Sequence, residues 1–340
     1  MSIHPLIVTG PTATGKTRLA VNLARKYNGE IISADSRQVY KGLDLGTGKD
    51  LEEYGTPPDS IPAHLIDIVE PNQEFHLKKF LESAQAAIQD IMSRGKLPII
   101  AGGTPLYVNA LIRGYQLPGG EPDPELRKQL LEMDERQLLE KLHQIASPEL
   151  IQRTDTTQKK RIARAIEIAS SNEDDALNYP PLQNPLVIAP FFDRAEIHRR
   201  IELRLDERLQ QGMIREVEML HQHGVSWERL DWFGLEYRYI AKFLKNELEL
   251  QEMRNQLLAK IRGFCKSQTI WFRKMEREGI DIHWIQDGDF NQAANLVKLW
   301  LNNKPLPKPT IRLADTHYGP KSKTISKQAV GRQSASQERS

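Results

Sequence analysis

The chain has 340 residues, 39% of them hydrophobic and 27% charged, which is ample for a buried core in one large domain or two modest ones. Its 47 lysines and arginines nearly balance 45 aspartates and glutamates, and a net charge of +2 excludes a strongly basic coat for nucleic acid but not a local basic face. One cysteine, Cys265, excludes a disulfide framework and a cysteine-built zinc site. No apolar run approaches the ~20 residues that cross a bilayer, so a soluble, cytoplasmic chain in a reducing context is expected.

In chain order, Leu6–Thr9 reads as a buried strand entering a glycine-rich turn, followed by an amphipathic helix from Lys16 to about Lys26. Ile31–Ala34 is a second strand, stopping at Asp35-Ser36. Residues 41–75 carry many glycines and prolines and read as irregular around a strand at Leu65–Val69. Leu77–Arg94 is helical up to Gly95, and Pro98–Ala101 is a third strand closed by Gly102-Gly103-Thr104. Strands alternating with helices predict an α/β fold with a parallel sheet core.

From Asp123 to about Ser170 only helical periodicity is found, and Ser171–Pro185 reads as a loop. Leu186–Ala189 returns to strand character, so the helical stretch is an insertion in the sheet domain. Ile197–Lys245 and Glu249–Arg277 are helical and rich in Arg and Lys, Asp281–Ile285 is a late strand and Asn291–Trp300 a last helix. The predicted division is a first part of the core at 1–118, a helical insertion at 119–185, and core completion with carboxyl-terminal helices at 186–304. Residues 305–340, with few apolar groups, are expected to be a disordered tail.

Gly10-Pro11-Thr12-Ala13-Thr14-Gly15-Lys16-Thr17 fits G-x-x-x-x-G-K-[ST] in full and lies between a strand and a helix, the context this P-loop requires. Its glycines let backbone N–H groups converge on phosphate oxygens, and the helix dipole adds positive potential. Lys16 would neutralise the terminal phosphate and the Thr17 hydroxyl would hold Mg²⁺. The loop does not say whether the ligand is a nucleoside triphosphate. Hydrolytic P-loop enzymes usually carry an acid for Mg²⁺ after an apolar strand; Pro98–Ala101 ends without one, whereas Ile31–Ala34 ends in Asp35. Beside a phosphate site Asp35 can serve the magnesium water shell or act as a general base; equally, it can cap a turn.

These motifs resemble the tRNA dimethylallyltransferases, also called tRNA isopentenyltransferases, over roughly residues 5–285. The pieces that carry the resemblance are Gly10–Thr17, Asp35-Ser36-Arg37-Gln38-Val39-Tyr40, Gly46-Thr47, His64-Leu65-Ile66-Asp67-Ile68 and Arg94–Ile100. Gly102-Gly103-Thr104-Pro105-Leu106-Tyr107, Arg161–Glu167, Phe192-Asp193-Arg194, Arg200–Arg204, Gln268 and Trp271-Phe272-Arg273 complete them. Their order and spacing together are specific. The chain departs from the family pattern at Ala63, where a histidine is usual, in the 153–159 loop, at Gly48, Cys265 and Ser267, and in having no cysteine after 305.

The resemblance implies transfer of a five-carbon group from dimethylallyl diphosphate to N6 of adenosine 37 in the tRNA anticodon stem-loop, with Mg²⁺ and release of pyrophosphate. A P-loop that holds a diphosphate without hydrolysis agrees with the missing acid. By resemblance Asp35 takes the N6 proton, Thr104 and Arg127 contact tRNA, and the insertion faces tRNA. Ser36, Arg37 and Gln38 should line the adenine entrance, Gln38 suiting an adenine edge. Arg204 is a candidate second cation for the pyrophosphate, its alternative being a solvated helix face.

Two basic segments suit the stem-loop. One groups Lys159, Lys160, Arg161 and Arg164; the other holds Lys260, Arg262, Lys266, Arg273 and Lys274 among Phe264, Trp271 and Phe272. Each can also be a solvated face over a core. The family context favours RNA contact for Lys266, Gln268 and Arg273, whereas Trp271 and Phe272 suit the core equally well. A monomer without membrane contact is expected. Competing readings are a prenyltransferase for free adenine nucleotides, a P-loop small-molecule kinase and a non-catalytic RNA-binding relative. The insertion and the basic carboxyl-terminal helices favour the tRNA reading, because a nucleotide substrate would not need them.

Overall fold

A computed structural model describes residues 4–117, 124–170 and 177–315. The chain runs β1 (Leu6–Thr9), α1 (Lys16–Tyr27), β2 (Gly29–Ser33), β3 (Ala63–His64), α2 (Leu77–Ser93), β4 (Leu97–Gly102), α3 (Pro105–Arg113) and β5 (Tyr115–Leu117). Helices α4 (Pro124–Glu132), α5 (Glu135–Ile145), α6 (Pro148–Arg153) and α7 (Lys159–Ser170) follow, then β6 (Leu177–Tyr179) and β7 (Leu186–Phe191). The remainder is α8 (Arg194–Gln210), α9 (Met213–Gln222), α10 (Trp227–Phe233), α11 (Leu235–Leu244), α12 (Leu250–Arg277), β8 (His283–Gln286) and α13 (Phe290–Leu301). Among the described residues no helix is long and apolar enough to cross a membrane.

Six strands form a parallel sheet in the order β3-β2-β4-β1-β7-β8. Its inner strands β1, β4 and β7 are near-continuous apolar runs because both faces are covered. Alternation along β1 sends Leu6 and Val8 to the face packed by α1 and α13, and Ile7 to the opposite face with Ile32, Ile100 and Val187. On that second face α2, α3, α8, α11 and α12 complete the larger core. β1 pairs with β4 on one side and β7 on the other, so the chain order reverses around β1 and a crevice opens at the carboxyl ends of these strands.

The insertion has a core of its own, with Leu130, Leu138 and Leu142 against Ile162, Ala163 and Ile166. Part of the expected 171–185 loop is β6, which pairs antiparallel with β5. The passages into and out of the insertion zip together as a stem; residues 118–123 and 171–176 lie outside the described residues.

Two other expectations change. No strand forms over Leu65–Val69: β3 lies just before it at Ala63–His64, Val69 makes an isolated bridge to Tyr40, and Leu65 and Asp67 take φ of +62° and +55°. The cause is Lys49, fully buried, whose ammonium donates to the Tyr40 carbonyl, to Asp44 and to Asp67, so the backbone turns to deliver the Asp67 carboxylate. The tail expected from 305 is packed as far as Asp315: Leu313 is buried, the Ala314 N–H donates to Glu276 and Arg273 donates to the Leu313 carbonyl. The rest of the tail, 316–340, lies outside the described residues.

Candidate active site

The phosphate loop leaves the carboxyl end of β1, and Lys16 opens α1. Gly15 sits at φ +75°, in the left-handed region that glycine enters without strain. The adjacent strand ends approach so closely that a Cβ on Gly102 would lie 2.3 Å from the backbone of Ala34. This approach lets the Ser36 N–H donate to the Thr104 hydroxyl at 3.1 Å, tying the end of β2 to the start of α3.

A cavity of about 690 Å³ lies over these strand ends, walled by the loop, the 46–54 segment, α8, α11 and α12. It brings together Thr12, Ala13, Gly15, Lys16, Thr17, Asp35, Ser36, Arg37, Gln38, Thr104, Arg204 and Gln268. Gly10, Pro11 and Thr14 shape the loop instead of lining this space; the Thr14 hydroxyl donates to the Pro11 carbonyl at 2.9 Å.

The Lys16 ammonium donates to the Pro11 carbonyl at 3.3 Å. Burial, and next the Arg204 guanidinium, push its pKa down to about 8, with Asp35 and Asp50 acting the other way. Arg204 and Arg208, one helical turn apart on α8, both donate to Asp50, at 2.5 Å and 3.2 Å. Burial alone would raise the Asp50 carboxyl, but the two guanidiniums outweigh it and hold it below its ordinary value. Gly48 allows this cluster, because a Cβ there would lie 1.8 Å from an Arg208 nitrogen.

One oxygen of Asp35 accepts the Arg37 N–H at 2.9 Å. The Arg37 guanidinium donates to the Trp232 carbonyl at 3.1 Å and stacks 4.2 Å above that ring. Gln38 spends its amide internally, accepting from the Ser33 hydroxyl at 2.8 Å and donating to the Gly48 carbonyl at 2.9 Å, so it positions the 46–48 loop. Gln268 is buried and works as a clamp: it accepts the Thr12 N–H at 2.9 Å and donates to the Gly103 carbonyl at 2.6 Å.

The remaining candidates lie away from the cavity. Arg127 grips Glu167 with two 2.6 Å bonds and Arg164 adds a third at 2.9 Å, so both serve a buried carboxylate of the insertion core. Arg161 pairs with Asp155 at 2.6 Å, and Lys160 is exposed. Lys266 and Arg273 line a second cavity, Phe272 is core, Trp271 is exposed, and Phe264, also exposed, is the exception that lines the first cavity. Cys265 is buried, with its thiol pushed up to about 11 by that burial.

Sequence reasoning missed Asp50, Arg208 and Glu236, all of which line the cavity. The four-residue spacing of Arg200, Arg204 and Arg208 carried a signal for Arg208. Asp50 and Glu236 had none; burial raises the Glu236 carboxyl above its ordinary value.

The IPP transferase family matches residues 38–275 and the isopentenyl transferase family residues 1–54. A tRNA dimethylallyltransferase 2 of Trichlorobacter lovleyi is 47% identical over 88% of this chain and 96% of its own length. A tRNA dimethylallyltransferase 1 of Geotalea uraniireducens is 45% identical over 88% and 98%. Among solved structures, the tRNA isopentenylpyrophosphate transferase of Bacillus halodurans matches with TM-score 0.64 and 30% identity, over 88% of this chain and 97% of that one. A eukaryotic dimethylallyltransferase acting on tRNA shares the fold with TM-score 0.72 at 22% identity, over 90% of this chain and 81% of that one. Phosphate loop, aspartate, six-stranded sheet and these likenesses agree: the chain belongs to the tRNA dimethylallyltransferases, a family of prenyltransferases.

Proposed function

We propose that the chain transfers a dimethylallyl group from dimethylallyl diphosphate to N6 of adenosine 37 in tRNA and releases pyrophosphate. The observation that carries this reading is the convergence of Lys16, Arg204 and Asp35 on one cavity. The adenine amine is a weak nucleophile because its lone pair is delocalised into the ring, so both a base and a stabilised leaving group are needed.

Asp35 fills the first role. Its Oδ1 is held by the Arg37 N–H, and its other oxygen has no hydrogen-bond partner among the described residues and takes the N6 proton. Lys16, Arg204 and the α1 amides stabilise charge on the leaving pyrophosphate as the C1–O bond breaks. Arg37 on Trp232 forms a planar cationic ledge at the adenine entrance, which suits an unstacked base.

The donor set fits a divalent cation that arrives with its diphosphate. Thr17 lines the cavity with Asp35 and Asp50, and among the described residues no group of three or more acidic, His or Cys side chains forms a metal cage. Thr17 would hold Mg²⁺, which when bound neutralises phosphate charge. The enzyme is proposed to act as a cytoplasmic monomer.

The test is a mass assay with dimethylallyl diphosphate, Mg²⁺ and an anticodon stem-loop carrying adenosine 37, with AMP and ATP run in parallel. One dimethylallyl group gained by the stem-loop alone is the expected result. Prenylated AMP or ATP would move the chain to free-nucleotide chemistry, and no product from any substrate would overturn the catalytic reading.

A further inference from the structure

A second cavity, of about 370 Å³, shares the phosphate loop and α12 with the first as its walls. Pro11 and Thr14 line this one, whereas Thr12, Gly15 and Lys16 line the other. Along α12, Arg262, Lys266, Ile270 and Arg273 face the second cavity, and Ile261, Phe264 and Gln268 the first. Neither Lys16 nor Asp35 reaches the second cavity, so it is no part of the transfer site.

Its apolar lining includes the buried Phe192 and Trp284 with Ile197 and the exposed Ile270, and the same lining carries Arg194, Arg262, Lys266 and Arg273. None of the lining residues is acidic. The two threonines in the lining spend their hydroxyls on backbone carbonyls, Thr14 on Pro11 and Thr269 on Cys265, each at 2.9 Å. Four cations beside such apolar side chains, with no acid in the lining, suit an anion with a hydrocarbon body.

Among the described residues Arg262 Nε is the one buried side-chain nitrogen or oxygen without a hydrogen-bond partner, although another nitrogen of that guanidinium donates to Glu202 at 2.9 Å. That nitrogen is shut off from solvent, so the guanidinium meets the cavity through its other atoms.

We propose that this cavity is a second, non-catalytic ligand site for a prenyl diphosphate, with the hydrocarbon against Phe192 and Trp284 and the diphosphate among the four cations. The two cavities share walls. Arg262 is tied through Glu202 to α8, the helix that carries Arg204 and Arg208, and Pro11 and Thr14 belong to the phosphate loop itself.

The test is calorimetric titration of the full chain with geranyl diphosphate and, separately, with inorganic pyrophosphate. The readout is binding, not transfer, so failure here leaves the catalytic reading standing. Geranyl diphosphate should retain one saturable site in Lys16→Ala, whereas pyrophosphate binding, which lacks the hydrocarbon, should be lost in that variant. In the Lys16→Ala background, Arg262→Gln and Ile270→Glu should each weaken the retained site at least tenfold, while in the wild-type background both leave pyrophosphate binding unchanged. Ile270 is 54% exposed, so its substitution leaves folding intact, checked by thermal melting. Loss of all geranyl diphosphate binding in Lys16→Ala would overturn the proposal, as would a retained site indifferent to both substitutions. A tenfold loss of stem-loop affinity in Ile270→Glu, with no second geranyl diphosphate site, would assign the cavity to RNA and also overturn it.

Discussion

Asp35 and Gln38 lie three residues apart after β2 and end with different work, because their neighbours differ. The Asp35 carboxylate keeps an oxygen for substrate, whereas the Gln38 amide is consumed by Ser33 and Gly48. Asp35→Asn keeps the shape and removes the base, so kcat for stem-loop prenylation should fall by at least about 100-fold while stem-loop affinity stays nearly constant. Single-turnover assays beside a binding titration check this, and equal turnover would remove Asp35 as the base. Lys16 gives a pH dependence of definite sign. Burial, and next Arg204, lower its pKa to about 8, and the diphosphate binds the protonated form. Affinity should therefore be full below pH 8 and weaken toward about tenfold per pH unit above it, as the proton must be taken up on binding. Pyrophosphate titrations from pH 7 to 9.5 would show the fall, and Lys16→Arg, charged throughout, should retain only the slope of the ligand's own ionisation.

At the scale of elements, the basic helices split into charges that build the protein and charges left for a partner. On α7, Arg164 joins Arg127 on the buried Glu167, while Lys160 and Arg161 face solvent. Replacing Lys160 and Arg161 together with glutamine should lower the slope of log K against log salt for stem-loop binding by about 1.5 with little effect on folding. An unchanged slope would take α7 off the RNA face. The stripe of Arg200, Arg204 and Arg208 on α8 was legible as a spacing. Its direction was not, since that follows from packing α8 over the strand ends and from Asp50, far away in sequence.

At the scale of the molecule, the insertion is separable: it has its own core and leaves and rejoins the sheet domain through the β5–β6 stem. Replacing the residues between Leu117 and Leu177 by a short turn should therefore spare the crevice. Pyrophosphate affinity should stay within about twofold while stem-loop affinity falls at least tenfold, measured on the same preparation. An intact stem-loop affinity would show that the insertion does not face RNA. The tail marks a limit of composition as a guide, for the polar segment after 305 stays packed through Asp315 because Leu313 and the Ala314 N–H find partners on α12.

Local pattern alone determined the phosphate loop, the buried strands around it, the helical insertion and the family, because each is written in spacing: four fixed loop positions between a strand and a helix, apolar runs bounded by glycine, and motifs in a set order. Only the tertiary structure decided which polar side chains remain free to act. Gln38, Gln268, Arg127 and Arg164 look like ligand-binding groups in the sequence and are consumed by Gly48, Thr12 and Glu167. Asp50, Arg208 and Glu236 gave little sign and line the cavity. The reason is that a side chain's availability depends on partners brought close by folding: Arg164 meets Glu167 only three residues on, but Gln38 meets Gly48 ten residues on, Arg127 meets Glu167 forty on, and Gln268 meets Thr12 across 256.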